Sequence, residues 1–394
     1  MSAGGKYRRH VAAALMLMPL VIFLGLFFVW PIVSMLSEAV SDPVVVKTLP
    51  STTEAARRWD HASPAVPIMG QALVDDIRAT TDDQAMGDVV RRLNSAKSGF
   101  RTLMMKTLSA ARGSTGPLDL TTVDPRWQDN GYWEAIAAAS GSRYTDRNLL
   151  AALDYTRNPQ GQIEALPPSA SNNADIFKRT FVISGLVTLM CIAIGYPFAM
   201  LAASVTGWKR QLLLGAVLLP LWTSLLVRTA AWIILLQDQG LINSLLQALH
   251  LTSGPLPLLF NRMGVVIAMT HVLLPFMVLP IFSVLIGIPG NLMPAAQSLG
   301  ASKLRAFWHV LLPLSLRGVA SGALLVFMSA IGYYITPALV GGPRDQMISA
   351  VIAFYSLNTA NWGMAGALGI ILLAATLALY AVYHRLTNDR PVKV

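Results

Sequence analysis

The chain has 394 residues, of which 54% are hydrophobic and only 13% are charged, about half the charged fraction of an ordinary soluble domain. This composition excludes a soluble protein. The one cysteine, Cys191, cannot form an intrachain disulfide, and no C-x-x-C or H-E-x-x-H motif indicates redox or zinc chemistry. The formal net charge of +10 does not by itself indicate nucleic-acid binding, because excess Lys and Arg in a membrane protein records its topology.

The charges divide the chain into two kinds of material. Residues 37–177 hold 14 basic and 17 acidic residues, a net charge of −3, whereas the remainder holds 16 basic and 3 acidic residues, a net charge of +13. We therefore divide the chain into a polar insertion at 37–177 and a set of long apolar segments separated by short basic loops. The segments at 1–36 and 178–385 form the membrane part, and 386–394 form a short tail.

Six segments are long and apolar enough to be membrane-spanning helices, which need about 20 mostly apolar residues to cross roughly 30 Å of hydrocarbon. They are residues 11–36, 180–203, 212–236, 263–288, 318–340 and 364–383. The first is too long for the apolar core of a cleaved signal peptide, so we interpret it as a retained signal anchor. Only the third contains an ionisable Asp, Glu, Lys or Arg residue, which is Arg228.

The short loops give the orientation, because Lys and Arg accumulate on the cytoplasmic side of a membrane protein. One side carries Lys6, Arg8, Arg9, Lys209, Arg210, Lys303, Arg305, Arg317, Arg385, Arg390 and Lys393, and the short loops of the other carry Arg262 and Arg344. We expect both termini to be cytoplasmic and the insertion to face outward. Lys178 and Arg179 depart from this trend, but long outward loops translocate largely regardless of charge.

The insertion has the pattern of a small helical domain. One apolar stripe recurs at spacings of three, four and seven, and consists of Met86, Val89, Val90, Leu93, Phe100, Leu103, Met104 and Leu108. A second helical stretch is expected to begin near Asp124 and Pro125, and residues 166–173 are expected to be a linker back to the membrane. Nothing in the insertion indicates catalysis, so we interpret it as a packing or docking domain.

The loop after the fourth apolar segment, residues 289–317, is too polar for lipid and too patterned for a simple turn. The sequence predicts a short helix with Pro294 in its first turn, a break at Gly300, and a second helix capped by Ser302. The second helix bears Leu304, Phe307 and Trp308. Two short helices at right angles to the spans would present an apolar knob that needs a partner to cover it.

This loop resembles the coupling motif of importer-type ABC transporter permeases, in which Glu-Ala-Ala is followed by Gly and later by an aliphatic residue, a spacer, Leu and Pro. The motif positions are occupied by Ala295, Ala296, Gly300, Val310, Leu312 and Pro313. Pro294 replaces the usual Glu, which removes one polar contact. The resemblance implies that the loop docks into a groove on an ATP-hydrolysing subunit; the alternative is an interfacial amphipathic turn. The candidate coupling residues are Ala295, Ala296, Gly300, Ser302, Leu304, Phe307, Trp308 and Pro313.

Further phrases resemble the spermidine/putrescine branch of these permeases. They are PLWTSLLVRTAAW at 220–232, GLINSLL at 240–246, LPFMVLP at 274–280, GYYITPALVGG at 332–342 and NWG at 361–363. The resemblance implies an all-α inner-membrane subunit that works with a second permease chain, an ATPase dimer and an extracytoplasmic binding protein. The chain lacks the G-x-x-x-x-G-K-[ST] phosphate loop, so ATP and Mg²⁺ are expected to be used by the partner ATPase, with no catalytic, cofactor or metal site here.

Residues of the transport path are inferred from the spans themselves. Arg228 is costly in lipid, so it faces protein or a water cavity, either as a gate or substrate contact or as a structural charge bonded to carbonyls or to the partner permease. Trp and Tyr rings either attract an ammonium group or anchor the membrane interface. The candidate path comprises Trp222, Thr223, Arg228, Trp232, Tyr333, Tyr334 and Thr336. Candidate residues that receive solute in the outer loops are Asp238, Asp345, Asn361 and Trp362.

The sequence thus predicts one half of the membrane path of an ATP-driven importer, with polyamines as the expected solute. The same branch resembles importers of opines, aminoalkyl phosphonates, thiamine and iron, so these solutes stay open. An ion-coupled secondary transporter is a further alternative, although such carriers are expected to hold intramembrane Asp or Glu, and the six segments hold none. A receptor would need an inner signalling domain, for which the inner loops are too short.

Overall fold

A computed structural model describes residues 15–61, 63–141, 144–158, 161–167 and 172–388. The chain forms two compact units, Met1–Leu149 and Leu150–Val394. In the first unit, helix α1 (Leu15–Ser37) contains a π-helical turn at Gly25–Val29. The helices that follow are α2 (Val44–Thr48), α3 (Pro50–Arg58), α4 (Val66–Ala79), α5 (Asp83–Ala96), α6 (Phe100–Gly113), α7 (Leu120–Val123), a 3₁₀ turn (Pro125–Gln128) and α8 (Asn130–Ser140).

Helix α9 (Arg147–Ala152) leads into the second unit, where strands β1 (Tyr155–Arg157) and β2 (Ile163–Ala165) form an antiparallel hairpin. The later helices are α10 (Asn173–Ser204), α11 (Trp208–Trp222), α12 (Leu225–Leu236), α13 (Leu241–Ala248), α14 (Arg262–Gly287), α15 (Leu292–Ser298), α16 (Lys303–Gly332), α17 (Ile335–Val340), α18 (Ile348–Asn358) and α19 (Trp362–Asn388). A 3₁₀ turn at Pro343–Asp345 precedes α18.

An aromatic cluster forms the centre of the insertion. Trp127, Trp133 and Phe100 are fully buried, and the two indole rings lie 4.6 Å apart between centroids. Each buried indole N–H has a partner: Trp127 donates to the Thr107 hydroxyl at 3.0 Å, and Trp133 donates to the Trp127 carbonyl at 2.8 Å. The polar edges of both rings are therefore satisfied, as burial requires.

The apolar stripe belongs to two helices rather than one. Gly99, with φ of +93°, separates α5 from α6, a backbone conformation that side chains other than glycine rarely adopt. All the stripe residues are buried in the insertion core except Leu108, which packs against its edge. Spacing alone could not show this turn, because the stripe continues in phase across it.

The second helical stretch of the insertion begins with a 3₁₀ turn. Asp124 caps that turn by accepting from the Arg126 N–H, and Asp129 then caps α8, so the α-helix starts later than expected. Hydrogen bonds from the Arg126 and Lys106 side chains hold the pKa of the Asp124 carboxyl well below its usual range. Of the expected linker at 166–173, residues 168–171 lie outside the described part of the chain.

Helices α10, α14 and α16 form the packed centre of the second unit. Their facing residues include Ile183, Val187, Met277, Val278 and Val326, all fully buried. Helix α16 approaches α14 closely because Gly322 lies against Met277, where a Cβ atom would come within 2.9 Å of its sulfur. Small residues allow such close approach of helices in membranes.

The all-α fold with six candidate membrane spans is confirmed among the described residues, but two span boundaries differ from the prediction. The six candidate spans are Leu15–Ser37, Asn173–Ser204, Leu225–Ala248, Arg262–Gly287, Lys303–Gly332 and Trp362–Arg385. The third apolar segment, 212–236, is not one helix: it is interrupted between Trp222 and Leu225. The fifth apolar segment was predicted at 318–340. The observed helix begins much earlier, at Lys303, and ends at Gly332.

Candidate functional site

The first helix break interrupts the third predicted apolar segment, residues 212–236, at Thr223 and Ser224. Both residues are extended, with ψ of 149°, so α11 ends and α12 starts afresh. Their hydroxyls satisfy the broken ends: Thr223 Oγ1 donates to the Pro220 carbonyl at 3.0 Å, and Ser224 Oγ accepts from the Val227 N–H at 3.2 Å. Side-chain hydroxyls therefore replace the helical hydrogen bonds that the break removes.

The second helix break follows the fifth span at Tyr333 and Tyr334. Tyr333 is extended, with ψ of 128°, and the short helix α17 begins two residues later. Ser349 Oγ donates to the Tyr333 carbonyl at 2.7 Å. The carbonyl freed at this break is thus bonded by a residue of α18.

The two breaks are joined by polar side chains. Thr229 of α12 and Thr336 of α17 are both buried, and their hydroxyl oxygens lie 3.1 Å apart. Arg228 donates from Nη2 to the Thr223 carbonyl at 2.8 Å and from Nε to Thr223 Oγ1 at 3.3 Å. Its guanidinium also lies within reach of the Tyr333 side chain. We call Thr223, Ser224, Arg228, Thr229, Tyr333, Tyr334 and Thr336 the break cluster.

The break cluster lies far along the chain from the basic residues that flank it. Thr223 is 13 positions after Arg210 and Gly332 is 15 positions after Arg317, so each break lies about 20 Å of helix from these residues. Non-helical backbone within a hydrocarbon core is tolerated only where it is buried in protein or lines a water-filled cavity. Thr223, Ser224 and Tyr334 are exposed on this chain, so a second protein surface or water is expected beside them.

The structure divides the candidate path residues into three groups. Thr223, Arg228, Tyr333, Tyr334 and Thr336 belong to the break cluster, although the buried Thr336 joins the breaks and does not line an open surface. Trp222 is 85% exposed beside the first break. Trp232 lies in α12 and donates from Nε1 to His271 Nδ1 of α14 at 3.2 Å.

Sequence reasoning missed four residues of this region: Ser224, Thr229, His271 and Ser349. His271 is exposed and accepts a hydrogen bond from Trp232. The available signal was the run of Thr and Ser hydroxyls shortly after Pro220, because such residues cap broken helix ends. Among the described residues, no group of three or more His, Cys, Asp or Glu side chains could hold a metal ion.

The candidate outer-loop residues lie in different environments. Asp345 is almost fully buried and forms an ion pair with Arg262, at 3.3 Å between Oδ1 and Nε. Asn361 caps the last helix by accepting from the Met364 N–H at 3.0 Å. Asp238 and Trp362 are exposed. Asp345 and Asn361 therefore hold their loops in place. In the part of the chain that the structure describes, Asp238 and Trp362 form no comparable hydrogen bond or ion pair.

The coupling loop contains a complete glycine-terminated helix end. Gly300 has φ of +88°, its N–H donates to the Gln297 carbonyl at 3.0 Å, and the Ala301 N–H donates to the Ala296 carbonyl at 3.1 Å. This pair of bonds is the Schellman arrangement, which uses a left-handed residue to end a helix. Ser302 then caps α16 by accepting from the Arg305 N–H at 3.3 Å. The structure confirms the predicted helix break at Gly300 and the predicted cap at Ser302.

The second coupling helix is not a separate short helix, as the sequence had suggested. It is the start of α16, which passes through a π-helical turn at Phe307–Leu311 and continues into the fifth span. The coupling loop and the fifth span therefore share one continuous helix. Phe307 is also not part of the exposed knob, because it is half-buried with its ring edge-on to Tyr196 at 6.1 Å between centroids.

The exposed apolar surface of the loop includes Leu299 in place of the predicted Phe307. Leu299 is 90% exposed, Leu304 is 68% exposed, and Trp308 is 57% exposed. We call these three residues the apolar knob. Ala295 and Pro313 are also exposed, whereas Ala296 is half-buried.

In the part of the chain that the structure describes, six helices are long and apolar enough to cross a membrane, which defines a multi-pass membrane protein. Residues 195–389 match the family described as binding-protein-dependent transport system inner membrane component. The spermidine/putrescine transport system permease protein PotB of Haemophilus influenzae is 31% identical over 60% of this chain and 86% of its own length. PotB of Escherichia coli is 35% identical over 51% of this chain and 73% of its own length.

The chain belongs to this family of inner-membrane permeases. It is a permease subunit of an ABC importer and a multi-pass protein of the inner membrane. Among solved structures, a bacterial alginate ABC transporter in complex with a pentasaccharide-bound periplasmic protein covers 55% of this chain at 19% identity and a TM-score of 0.44.

Proposed function

We propose that the chain forms one half of the membrane path through which an ABC importer moves polyamines such as spermidine and putrescine. The observation that carries the proposal is the likeness to the two PotB permeases, which extends over most of their length. The break cluster supports it, because the carbonyls and aromatic rings at the helix breaks are groups that bind ammonium cations.

The proposed complex contains this chain, a second permease chain, an ATPase dimer and an extracytoplasmic binding protein. Both termini and the coupling loop are cytoplasmic in this arrangement, and the insertion faces outward, as the distribution of Lys and Arg predicts. ATP and Mg²⁺ are used by the ATPase subunits, so this chain needs no cofactor. Import requires that the ATPase bind the two states of the permease with different affinities.

The apolar knob is the proposed ATPase contact. Burial of an exposed leucine is worth about 2 kcal/mol, so Leu304→Asp is expected to weaken ATPase binding at least tenfold. Leu251→Asp is the matched control, because Leu251 is 67% exposed against 68% for Leu304 but belongs to a loop on the opposite side in the proposed topology. Equal ATPase affinity in the two variants would contradict the proposed contact.

The solute is tested by ATP hydrolysis in the complete complex reconstituted in lipid. Stimulation by spermidine or putrescine, and not by unrelated solutes, is the expected result. Arg228 at the break favours one alternative, in which the same machinery imports an anionic or zwitterionic solute such as an opine or an aminoalkyl phosphonate. Stimulation by such a solute alone would replace the polyamine proposal and leave the importer intact.

A further inference from the structure

Arg228 bonds an acceptor at the first helix break that could equally accept a hydrogen bond from another cation. Its guanidinium donates to the Thr223 carbonyl, which lies at the C-terminal end of α11, where the helix dipole places partial negative charge. None of the six predicted spans contains Asp or Glu. A cation in this span therefore finds a backbone carbonyl, such as that of Thr223, and not a carboxylate. The Arg228 guanidinium is itself a cation bound at this carbonyl.

The surroundings of this position suit a primary ammonium group. Trp222, highly exposed, directly precedes Thr223, and Tyr333 and Tyr334 form the adjoining break. Ring faces attract ammonium groups by about 0.5 to 2 kcal/mol each. Ser224 and Thr223 add hydroxyl oxygens at the same break. An ammonium group and a guanidinium group would compete for these acceptors.

We propose that the first helix break is an ammonium subsite of the polyamine path and that Arg228 is its exchangeable plug. This inference rests on the proposed polyamine function and names the site at which one end of the solute binds. Without solute, the guanidinium bonds the Thr223 carbonyl. When a polyamine arrives, its ammonium group takes that carbonyl, and Arg228 turns to another acceptor, for which the Tyr333 side chain is within reach.

The plug explains how a polyamine path tolerates a positive charge. A fixed arginine facing the solute would repel it, whereas an arginine that leaves as the solute binds exchanges one cation for another at the same acceptor. The bare break would also leave a carbonyl unpaired in a low-dielectric region, which costs free energy. The guanidinium removes that cost between transport cycles.

The test measures equilibrium binding of radiolabelled spermidine to the complex of both permeases and the ATPase in nanodiscs, without binding protein. A plug that fills the subsite nine-tenths of the time weakens apparent affinity about tenfold, so Arg228→Ala is expected to bind spermidine about tenfold more tightly. Arg228→Lys retains a competing cation and is expected to keep the weak affinity. Arg228→Gln retains hydrogen-bond donors for the break and covers the case in which the alanine variant does not assemble; it is expected to bind more tightly than the wild type.

Arg210→Ala is the matched control. Arg210 also bonds carbonyls at a helix end, donating to the Val205 carbonyl at 2.8 Å, but it lies in the first turn of α11, outside the break cluster. Its substitution is expected to leave spermidine affinity unchanged. A photoreactive spermidine should label residues 220–226 more strongly in Arg228→Ala than in the wild type.

Three results would overturn the inference: unchanged or weaker spermidine binding in both Arg228→Ala and Arg228→Gln, tighter binding in Arg228→Lys, or labelling confined to other segments. Tighter binding without labelling of the break would mean that Arg228 acts by general repulsion only. Failure of the proposed function is separate, because it would be seen in the wild-type complex as ATP hydrolysis that polyamines do not stimulate.

Discussion

The Thr229 and Thr336 hydroxyls, 107 residues apart in sequence, form a buried hydrogen bond of 3.1 Å that joins the two helix breaks. Thr229 also donates to the Leu225 carbonyl at 2.9 Å, so Thr336 is the donor to Thr229. This hydrogen bond links α12, which follows the first break, to α17, which follows the second.

Removing this bond is expected to loosen both breaks together. Thr336→Val and Thr229→Val should each destabilise the assembled permease by about 1 kcal/mol and slow solute uptake. Because both changes remove the same bond, the double variant should cost clearly less than the sum of the two. Melting temperature and uptake rate of the reconstituted complex provide the measurement.

Thr188→Val is the control for this pair. Thr188 also bonds a carbonyl four residues earlier, that of Ser184 at 2.8 Å, but this bond stays within one helix. The Thr188→Val variant should therefore leave the uptake rate unchanged. Strict additivity of the two cluster substitutions would show that the hydroxyls act independently.

Gly300 is expected to tolerate only residues that adopt a left-handed conformation. A Cβ atom at this position would meet open space, so any cost is conformational rather than steric. Gly300→Val should cost at least 1 to 2 kcal/mol in the loop, reducing ATPase affinity about tenfold, whereas Gly300→Asn should be much milder. ATPase binding to the reconstituted permease gives the measurement.

Gly290→Val controls for loss of a glycine in the same loop, because Gly290 has open space and no positive φ. It is expected to bind the ATPase like the wild type. Equal effects of valine and asparagine at position 300 would show that the Schellman turn is not what shapes the docking surface.

Asp345 is expected to stabilise its loop rather than contact solute. Asp345→Asn and Arg262→Gln each break the ion pair, so both should lower the amount of assembled permease while leaving the KM for uptake unchanged. The half-exposed Arg262 limits the loss to less than about 1 kcal/mol. An increase in KM for Asp345→Asn, with none for Arg262→Gln, would instead indicate solute contact.

The parts of the fold that local patterns determine were predictable. Apolar runs gave the six spans, and Gly300 followed by Ser302 gave the helix end and cap of the coupling loop, because each signal lies within a few residues. The breaks at Thr223 and Tyr333 were hidden, since each lies inside an apolar run, 212–236 or 318–340, that is as long as one continuous span.

Contacts between distant residues were beyond the sequence. Arg262 and Asp345 are 83 residues apart, and Asp345 therefore resembled a free loop carboxylate. Arg228 and Thr223 are only five residues apart, but their bond depends on the helix break beside them, which the sequence pattern did not show. His271 carried no pattern that could distinguish its bond with Trp232 from ordinary packing.

The insertion depends on a cap that comes from another helix. Helix α3 has no capping side chain at Leu49, and Asp76 of α4 supplies the missing acceptor. The carboxylate accepts from the Ser51 N–H at 3.1 Å, the Thr52 N–H at 2.7 Å and the Thr52 hydroxyl at 2.7 Å. Asp76 is buried, so its loss leaves these donors without water to replace it.

Asp76→Ala is therefore expected to destabilise the insertion by about 2 to 3 kcal/mol, the scale of buried hydrogen bonds to a charged group. Asp75→Ala is the matched control, because Asp75 is exposed and accepts from Gln71 of its own helix. Hydrogen exchange of residues 49–58 in the full chain should accelerate at least tenfold in the first variant and remain at the wild-type rate in the second. Equal exchange in both would show that α3 is held by the apolar core and not by this carboxylate.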